Sequence, residues 1–191
     1  VDYLLVAVTA LGVFCNSIDG DFVYDDHQAI VANPDVVGPS FSPLTNDFWG
    51  SPIANRGSHK SWRPLTSLTF RLNYFVDGLR PRGFHLINLL LHAVCSCLVL
   101  KLAGPLVHGR GPRLLSALLF AVHSIHCEAV ASIVGRADML ATVVVLIGLI
   151  RVKSLSLTTV CLTVVALACK ETGICLLMLI AVRKALGTRK V

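Results

Sequence analysis

The 191-residue chain is long enough for one or two soluble domains, but its composition argues against a soluble fold. Hydrophobic residues make up 54% of the chain and charged residues only 15%, which is typical of a protein that crosses a membrane several times. The formal net charge of +6 does not indicate nucleic-acid binding, because the basic residues stand at the ends of apolar segments with little aromatic interleaving. We therefore predict an all-α, multi-span membrane protein with the lipid bilayer, and no nucleic acid, as a partner.

An apolar segment and a long polar loop open the chain. Residues 1–18 are mostly apolar and approach the ~20 residues that span a bilayer. Because no Met and no basic region precede this segment, we expect a clipped transmembrane start rather than a complete signal peptide. The polar loop covers residues 19–83. Within it, residues 65–75 have the spacing of an amphipathic helix, which we place at the membrane surface.

Three further apolar units follow the loop. Residues 84–107 form a second predicted span, and two helical hairpins are predicted at 114–150 and 155–182, giving about six spans in all. The first hairpin has a polar far end at 123–138, where we expect a bend with non-helical backbone lining a cavity. Polar residues spaced three and four apart form one stripe on the second span: His85, Asn88, His92 and Ser96. Ordinary interhelical hydrogen bonding explains such a stripe at least as well as a functional role.

Charge bias predicts the orientation of these spans. Basic clusters lie in turns that share one side of the membrane: Arg110 and Arg113, Arg151 and Lys153, Arg183 and Lys184, with Arg189 and Lys190 closing the chain. The positive-inside rule assigns that side to the cytoplasm. The opposite, luminal side then collects the candidate site residues: Asp25, Asp26, His59, Lys60, Arg63, His123, His126, Glu128, Arg136, Asp138, Lys170 and Glu171.

The doublet Asp25-Asp26 is the main catalytic candidate. Adjacent carboxylates repel each other and are costly to desolvate, so near a membrane they need a cation, a proton or a function. A structural alternative is that Asp26 caps a short helix over residues 27–31. A carboxylate can also act as a base toward a hydroxyl, and Arg or Lys can hold a leaving phosphate. Together these groups suit sugar transfer from a lipid-phosphate donor. A non-enzymatic transporter or lipid-binding scaffold is the alternative.

Other pairings remain open. In His123-x-x-His126-x-Glu128 the two histidines share a helix face while Glu128 points away, so metal coordination by all three requires a bent backbone. We predict no metal site, and if a divalent metal is bound, the two histidines are its candidate ligands. Arg136 could pair with Asp138, and Lys170-Glu171 could satisfy each other at a helix end. These last two interpretations give the paired residues a structural role and no catalytic one.

A series of motifs along the chain resembles one known family. The motifs are Phe22-Val-Tyr-Asp-Asp26, Asn33-Pro-Asp35, Asn46-Asp-Phe-Trp-Gly50, Ser58-His-Lys-Ser-Trp-Arg-Pro-Leu65, Leu68-Thr-Phe-Arg-Leu-Asn73, Phe120-Ala-Val-His-Ser-Ile-His126, Glu128-Ala-Val130, Val134-Gly-Arg-Ala-Asp138 and Lys170-Glu171. In this order they resemble the transmembrane O-mannosyltransferases that target cadherins, and the resemblance covers nearly the whole chain. The sequence departs from the family pattern at Ser124, Trp62 and Thr172, where Pro, Tyr and Gln are usual.

The resemblance implies a membrane domain like those of type C glycosyltransferases, located in the endoplasmic reticulum membrane. Family members carry tetratricopeptide repeats after this domain, and nothing in this sequence fits a ~34-residue repeat of that kind, so the fragment could be inactive alone. The implied reaction moves mannose from dolichyl phosphate mannose to Ser or Thr of cadherin-type domains, with no certain cofactor. By position, one of Asp25 and Asp26 is the expected base, and we expect Arg63 or Arg136 to contact the donor phosphate.

Overall fold

The computed structural model describes residues 1–186, and over that range the chain is helical, which confirms the predicted all-α class. The only strand-like feature of the described residues is an isolated bridge between Asn46 and Pro52. The α-helices of this range are α1 Asp2–Phe14, α2 Pro34–Val37, α3 Pro64–Asp77, α4 Pro81–Leu106, α5 Arg110–Val122, α6 Cys127–Ala131, α7 Arg136–Arg151, α8 Leu157–Cys169 and α9 Cys175–Ala185. Short 3₁₀ turns cover Cys15–Asp19, Ser124–His126, Ile133–Gly135 and Glu171–Ile174, and one π-helical turn covers His27–Val31.

Helix α4 lies at the centre of the bundle and packs against α1, α5 and α7. Its Pro81 stands in the first turn, where a missing N–H leaves no hydrogen bond unmade. Part of the contact with α1 and α5 is made by three buried alanines, Ala10, Ala93 and Ala121. Small side chains allow helix backbones to approach closely, which is how helices associate in a membrane.

The polar stripe on α4 faces neighbouring helices. The Asn88 amide donates to the carbonyls of Ser132 at 3.0 Å and Ile133 at 3.2 Å. The His92 ring nitrogen Nε2 lies 3.0 Å from the Ala121 carbonyl oxygen. Hydrogen bonds to other segments therefore account for Asn88 and His92, whereas the Ser96 hydroxyl donates to the His92 carbonyl within α4 at 2.9 Å.

Within residues 1–186, fewer helices than the six predicted have the length of a membrane span. Three helical segments of this range are long and apolar enough to cross a bilayer: Asp2–Asp19, Pro81–Leu106 and Ile133–Arg151. Helix α5 and the segment Ser124–Ala131 make a fourth if this pair, bent by 42°, is one span. The predicted bend is thus present. Helices α8 and α9 have 13 and 11 residues, short of the ~20 that span a bilayer, so helix length does not reproduce the six crossings.

Basic residues collect at one end of the bundle. The Arg110 guanidinium binds the Asp2 carboxylate at 2.6 Å, which ties the start of α5 to the start of α1. Lys101 and Arg113 line a cleft with this pair, and Lys101 also lines a neighbouring cleft with Lys153 and Arg183. Arg189 and Lys190 lie outside the described residues.

The 19–83 loop folds onto the other end of the bundle around an aromatic core of its own. Phe22, Phe48, Phe70 and Phe84 are buried in one cluster, and Phe70 comes from α3 while Phe84 comes from α4. Helix α3 is the predicted amphipathic helix, extended slightly at both ends. This core fixes the loop against the helix ends, which places its polar side chains.

Candidate functional site

The acidic doublet is divided between a buried and an exposed carboxylate. Asp26 is fully buried, and its oxygens accept hydrogen bonds from the backbone N–H groups of Val23 at 3.1 Å and Val134 at 2.9 Å. Its side chain does not cap the His27–Val31 turn, as the structural alternative required. Burial raises the pKa of Asp26 above its ordinary range, and the backbone hydrogen bonds offset only part of that effect. Asp26 thus joins the loop to the Ile133–Gly135 turn.

Asp25 is exposed, and within residues 1–186 its carboxylate makes no hydrogen bond or ion pair. The preceding residue, Tyr24, has a φ of 46°, a left-handed conformation that is uncommon for a residue with a side chain. This turn carries Asp25 to the rim of a cavity while Asp26 points into the protein. Asp25 is therefore the available carboxylate of the doublet.

The cavity has a volume of about 610 Å³ and gathers six of the predicted site residues. They come from the loop, from the bent segment after α5, from α7 and from the turn between α8 and α9: Asp25, Arg63, His126, Glu128, Asp138 and Lys170. Apolar side chains, including Phe48, Phe120 and Met139, complete the lining. The lining thus combines charged groups with apolar surface.

Both cavity cations are paired with acids. The Lys170 ammonium Nζ lies 2.6 Å from each carboxylate oxygen of Asp138, and the Arg63 Nη2 lies 2.9 Å from Oε2 of Glu171. The simpler pairings of Arg136 with Asp138 and of Lys170 with Glu171 are therefore wrong. The backbone of Lys170 is extended (φ −158°, ψ 150°), so successive side chains leave in opposite directions and find different partners.

Glu171 is ionised in its pair with Arg63. Partial burial raises the pKa of the Glu171 carboxyl, but the Arg63 hydrogen bond and the charges of Arg63 and Lys170 outweigh it, leaving the pKa below its ordinary value. Glu128, by contrast, has no hydrogen-bond or ion-pair partner among the residues described. The cavity therefore offers two unpartnered carboxylates, Asp25 and Glu128, beside two paired cations.

Arg136 occupies a supporting position. Its side chain is fully buried and donates to Asn88 Oδ1 at 2.9 Å and to the Phe84 carbonyl at 3.0 Å. A longer contact reaches the Thr69 carbonyl at 3.3 Å, and the guanidinium lies 4.8 Å from the centroid of the Phe70 ring. These contacts join α3, α4 and α7. Arg136 does not line the cavity, whereas Arg63 does. Of the two arginines predicted to contact phosphate, Arg63 is therefore the better placed.

Three other predicted residues lie outside the cavity. The Nδ1 atom of His123 accepts a hydrogen bond from the Ile125 N–H at 3.1 Å. Lys60 turns back on its own loop, where its ammonium binds the carbonyls of Ile53 and Asn55. His59 lines a neighbouring recess.

The histidine pair is not part of a larger ligand cluster in residues 1–186, where no three His, Cys, Asp or Glu side chains are placed to hold a metal ion. The rings of His123 and His126 lie 6.2 Å apart, and His126 packs against Phe120 at 4.3 Å between ring centroids.

Sequence reasoning missed two residues that shape the site. Asp47 is buried and accepts hydrogen bonds from the backbone of Trp49 and Ser51 at 3.0 Å and from the Ser58 hydroxyl at 2.5 Å. Trp49 lines the cavity beside Asp25. An Asp a few residues before a Gly is a signal for a turn in which the carboxylate binds nearby backbone N–H groups. That signal is present in Asn46-Asp-Phe-Trp-Gly-Ser51, where Gly stands three residues after Asp47.

These features define a helical multi-span membrane protein whose polar loop and helix ends enclose a charged cavity at one end of the bundle. Neither a family model nor a solved structure matches the chain. Curated relatives do match it. Protein O-mannosyl-transferase Tmtc1 of Drosophila melanogaster is 44% identical over 180 residues, which cover 89% of this chain and 21% of that protein.

Two mouse proteins match comparably. Protein O-mannosyl-transferase TMTC4 is 42% identical over 213 residues, covering 94% of this chain and 28% of its own length. Protein O-mannosyl-transferase TMTC3 is 43% identical over 184 residues, covering 90% and 20%. The chain belongs to the TMTC family, whose relatives cited here are named protein O-mannosyl-transferases. It spans 20–28% of the length of these three relatives.

Proposed function

We propose that this chain forms the catalytic end of the membrane domain of a protein O-mannosyltransferase. The observation that carries the proposal is one cavity that holds the Asp25 carboxylate, unpartnered among residues 1–186, together with the cations Arg63 and Lys170. A base and a phosphate-binding cation are the groups that sugar transfer from a lipid phosphate requires. The names of the relatives support the same reaction class.

Asp25 acts as the general base. The oxygen of a Ser or Thr hydroxyl attacks C1 of mannose, its proton passes to the Asp25 carboxylate, and the bond from C1 to the phosphate oxygen breaks with its electron pair leaving on the phosphate. Asp25 suits this role because it is exposed and unpartnered within the described range. Asp26 positions the turn instead, since both of its oxygens are held by backbone N–H groups.

Arg63 and Lys170 hold the leaving phosphate. Each is already oriented by a carboxylate, and a phosphate oxygen can join such a pair through the remaining N–H donors. The Arg63 guanidinium also lies 4.8 Å from the centroid of the Phe48 ring, which further restricts its orientation. Glu128 provides negative charge for a sugar that becomes oxocarbenium-like, by the logic that carboxylates follow in glycoside hydrolysis.

The donor is dolichyl phosphate mannose, and the acceptors are Ser or Thr of cadherin-type domains in the endoplasmic reticulum lumen. The basic end of the bundle supports this orientation, because the positive-inside rule assigns it to the cytoplasm. The cavity then opens on the opposite, luminal side. Its mixture of cations with apolar side chains suits a phosphate that carries a lipid chain.

The alternative of a transporter or lipid-binding scaffold receives less support. A transporter needs ionisable groups along a path through its spans. Arg136 is the fully buried charge within the span Ile133–Arg151, and residues of α3 and α4 hold its guanidinium. Those contacts suit a structural role in the bundle better than a transport path.

The test uses full-length protein expressed in cells that lack O-mannose on cadherins. We expect Asp25→Asn to reduce mannosylation by at least about a hundredfold, as loss of a general base does, while binding of dolichyl phosphate mannose persists. Asp26→Asn serves as the comparison, because it removes the neighbouring charge from a buried site. If the Asp25→Asn protein mannosylates cadherins normally, the base is another group and the proposal fails.

A further inference from the structure

A second recess of about 470 Å³ adjoins the cavity, and Asp25 and Trp49 line both. The other lining residues of the recess are Gln28, Asp47, Ser51, Gly57 and His59. We propose that this acceptor recess binds the polypeptide segment that carries the reacting hydroxyl, as an extended chain laid across Trp49. The inference rests on the proposed function and names the subsite for the second substrate.

The position of Asp25 is the first argument. A base that takes the proton from a hydroxyl must lie beside that hydroxyl while its oxygen attacks the donor, which places the base near the point where the two binding spaces meet. Within residues 1–186, Asp25 is the titratable group that lines both spaces. Its carboxylate can thus face the sugar donor on one side and the hydroxyl on the other.

The two spaces differ in charge. The cavity contains Arg63 and Lys170, whereas the lining of the acceptor recess contains neither Lys nor Arg. The cations that can bind an anionic lipid phosphate therefore line the cavity and not the recess. The recess offers an amide from Gln28 and an imidazole from His59, both exposed, which can donate and accept hydrogen bonds. Such side chains match the N–H and C=O groups of a peptide backbone.

Hydrogen bonds to Asp47 fix the wall of the recess before any peptide binds. Its Oδ1 accepts from the backbone N–H groups of Trp49 and Ser51, and its Oδ2 accepts from the Ser58 hydroxyl and the His59 N–H at 3.2 Å. Four hydrogen bonds on one buried carboxylate hold both ends of the loop together. A rigid wall lowers the entropy that binding a flexible segment must overcome.

A glycine allows this loop to pack closely. Gly50 has a φ of 81°, and a Cβ there would lie 2.5 Å from Oδ1 of Asn33. The Asn33 amide in turn donates to the Phe48 carbonyl at 3.0 Å. The left-handed turn and the close approach both require glycine, and together they set the position of Trp49.

Trp49 provides the platform between the two spaces. Its ring packs against Phe48 at 5.3 Å and His59 at 5.9 Å between centroids. Its indole Nε1 is buried and has no hydrogen-bond partner within the described range. Because this nitrogen is closed to solvent, the other atoms of Trp49, rather than its indole N–H, are what a peptide in the recess can contact.

The test measures initial rates of the full-length enzyme with dolichyl phosphate mannose and a Ser/Thr-containing peptide from a cadherin-type domain. The variants are Gln28→Ala and His59→Ala, which shorten exposed side chains. We expect each to raise the KM for the peptide about three- to tenfold, the loss of one hydrogen bond, with the KM for the donor unchanged. Arg56→Ala is the matched control, because Arg56 is exposed on the same loop and lines neither space.

The outcomes separate this inference from the proposed function. If transfer proceeds and neither variant changes the KM for the peptide, the acceptor binds elsewhere, and only the inference is overturned. A raised KM for the donor in the two variants also overturns it. Binding of the radiolabelled donor without peptide gives an independent readout, and a full-length protein that neither binds the donor nor transfers mannose overturns both proposals.

Discussion

The Asp26 carboxylate accepts a hydrogen bond from the Val134 backbone N–H at 2.9 Å, across 108 positions of sequence. This contact joins the first polar loop to the turn before α7, and it orients the doublet so that Asp25 faces the cavity. The neighbouring carboxylates therefore have different tasks, one holding the loop in place and the other available for chemistry.

Replacing Asp26 by Ala should destabilise the protein. The backbone N–H groups of Val23 and Val134 both lose their acceptor, and an unsatisfied buried group costs about 1–3 kcal/mol. We expect a clearly lower thermal unfolding midpoint for full-length Asp26→Ala, measured by intrinsic fluorescence in detergent. Asp25→Ala is the control and should unfold near the wild-type temperature. Equal midpoints for the two variants would contradict the anchoring role.

The stability contribution of Asp26 should depend on pH in a defined direction. Burial raises its folded-state pKa above the ordinary 3.8, so the folded protein binds more protons than the unfolded chain between these two values. Stability therefore falls as pH rises through this window. We expect wild type to lose stability relative to Asp26→Asn as pH increases from about 4, measured by urea unfolding in mild detergent. A difference that stays constant with pH would contradict the shift.

Lys170→Met should weaken binding of the donor. The substitution keeps an unbranched side chain, one atom shorter, but removes the ammonium that lies 2.6 Å from the Asp138 carboxylate. Since a charged hydrogen bond contributes about 1.5–3 kcal/mol, we expect the KM for dolichyl phosphate mannose to rise about tenfold to a hundredfold. Lys153→Met, at the opposite end of the bundle, is the matched control. An unchanged KM would remove Lys170 from the phosphate site.

Gly173→Ala should disturb the turn Glu171–Ile174, which contains the Glu171 partner of Arg63. A Cβ at Gly173 would collide with the Ala166 carbonyl group and lie 2.6 Å from the Leu167 nitrogen, so the turn must move away from α8. We expect lower transfer and a lower unfolding midpoint. Gly104→Ala is the control, since a Cβ there meets nothing within 4 Å. If both variants match wild type in rate and midpoint, the packing of this turn does not constrain the site.

Local pattern in the sequence was enough to predict several features of the fold. The amphipathic spacing predicted α3, the polar run after α5 predicted a bend, and the basic turns marked one end of the bundle. These features depend on periodicity and on charge near helix ends, which a single chain displays directly. Helix lengths were less predictable, because the apolar runs in residues 155–182 predicted a pair of spans whereas α8 and α9 have 13 and 11 residues.

The sequence by itself determined which residues carry charge and which end of the helical bundle they approach. Only the tertiary structure decided their partners: Arg63 with Glu171, Lys170 with Asp138, and Asp26 with two backbone N–H groups. The physical reason is that an ion pair depends on distance in space, and the partners of Arg63 and Asp26 lie 108 positions away. Packing of the loop on its aromatic core sets those distances, and local pattern does not record them.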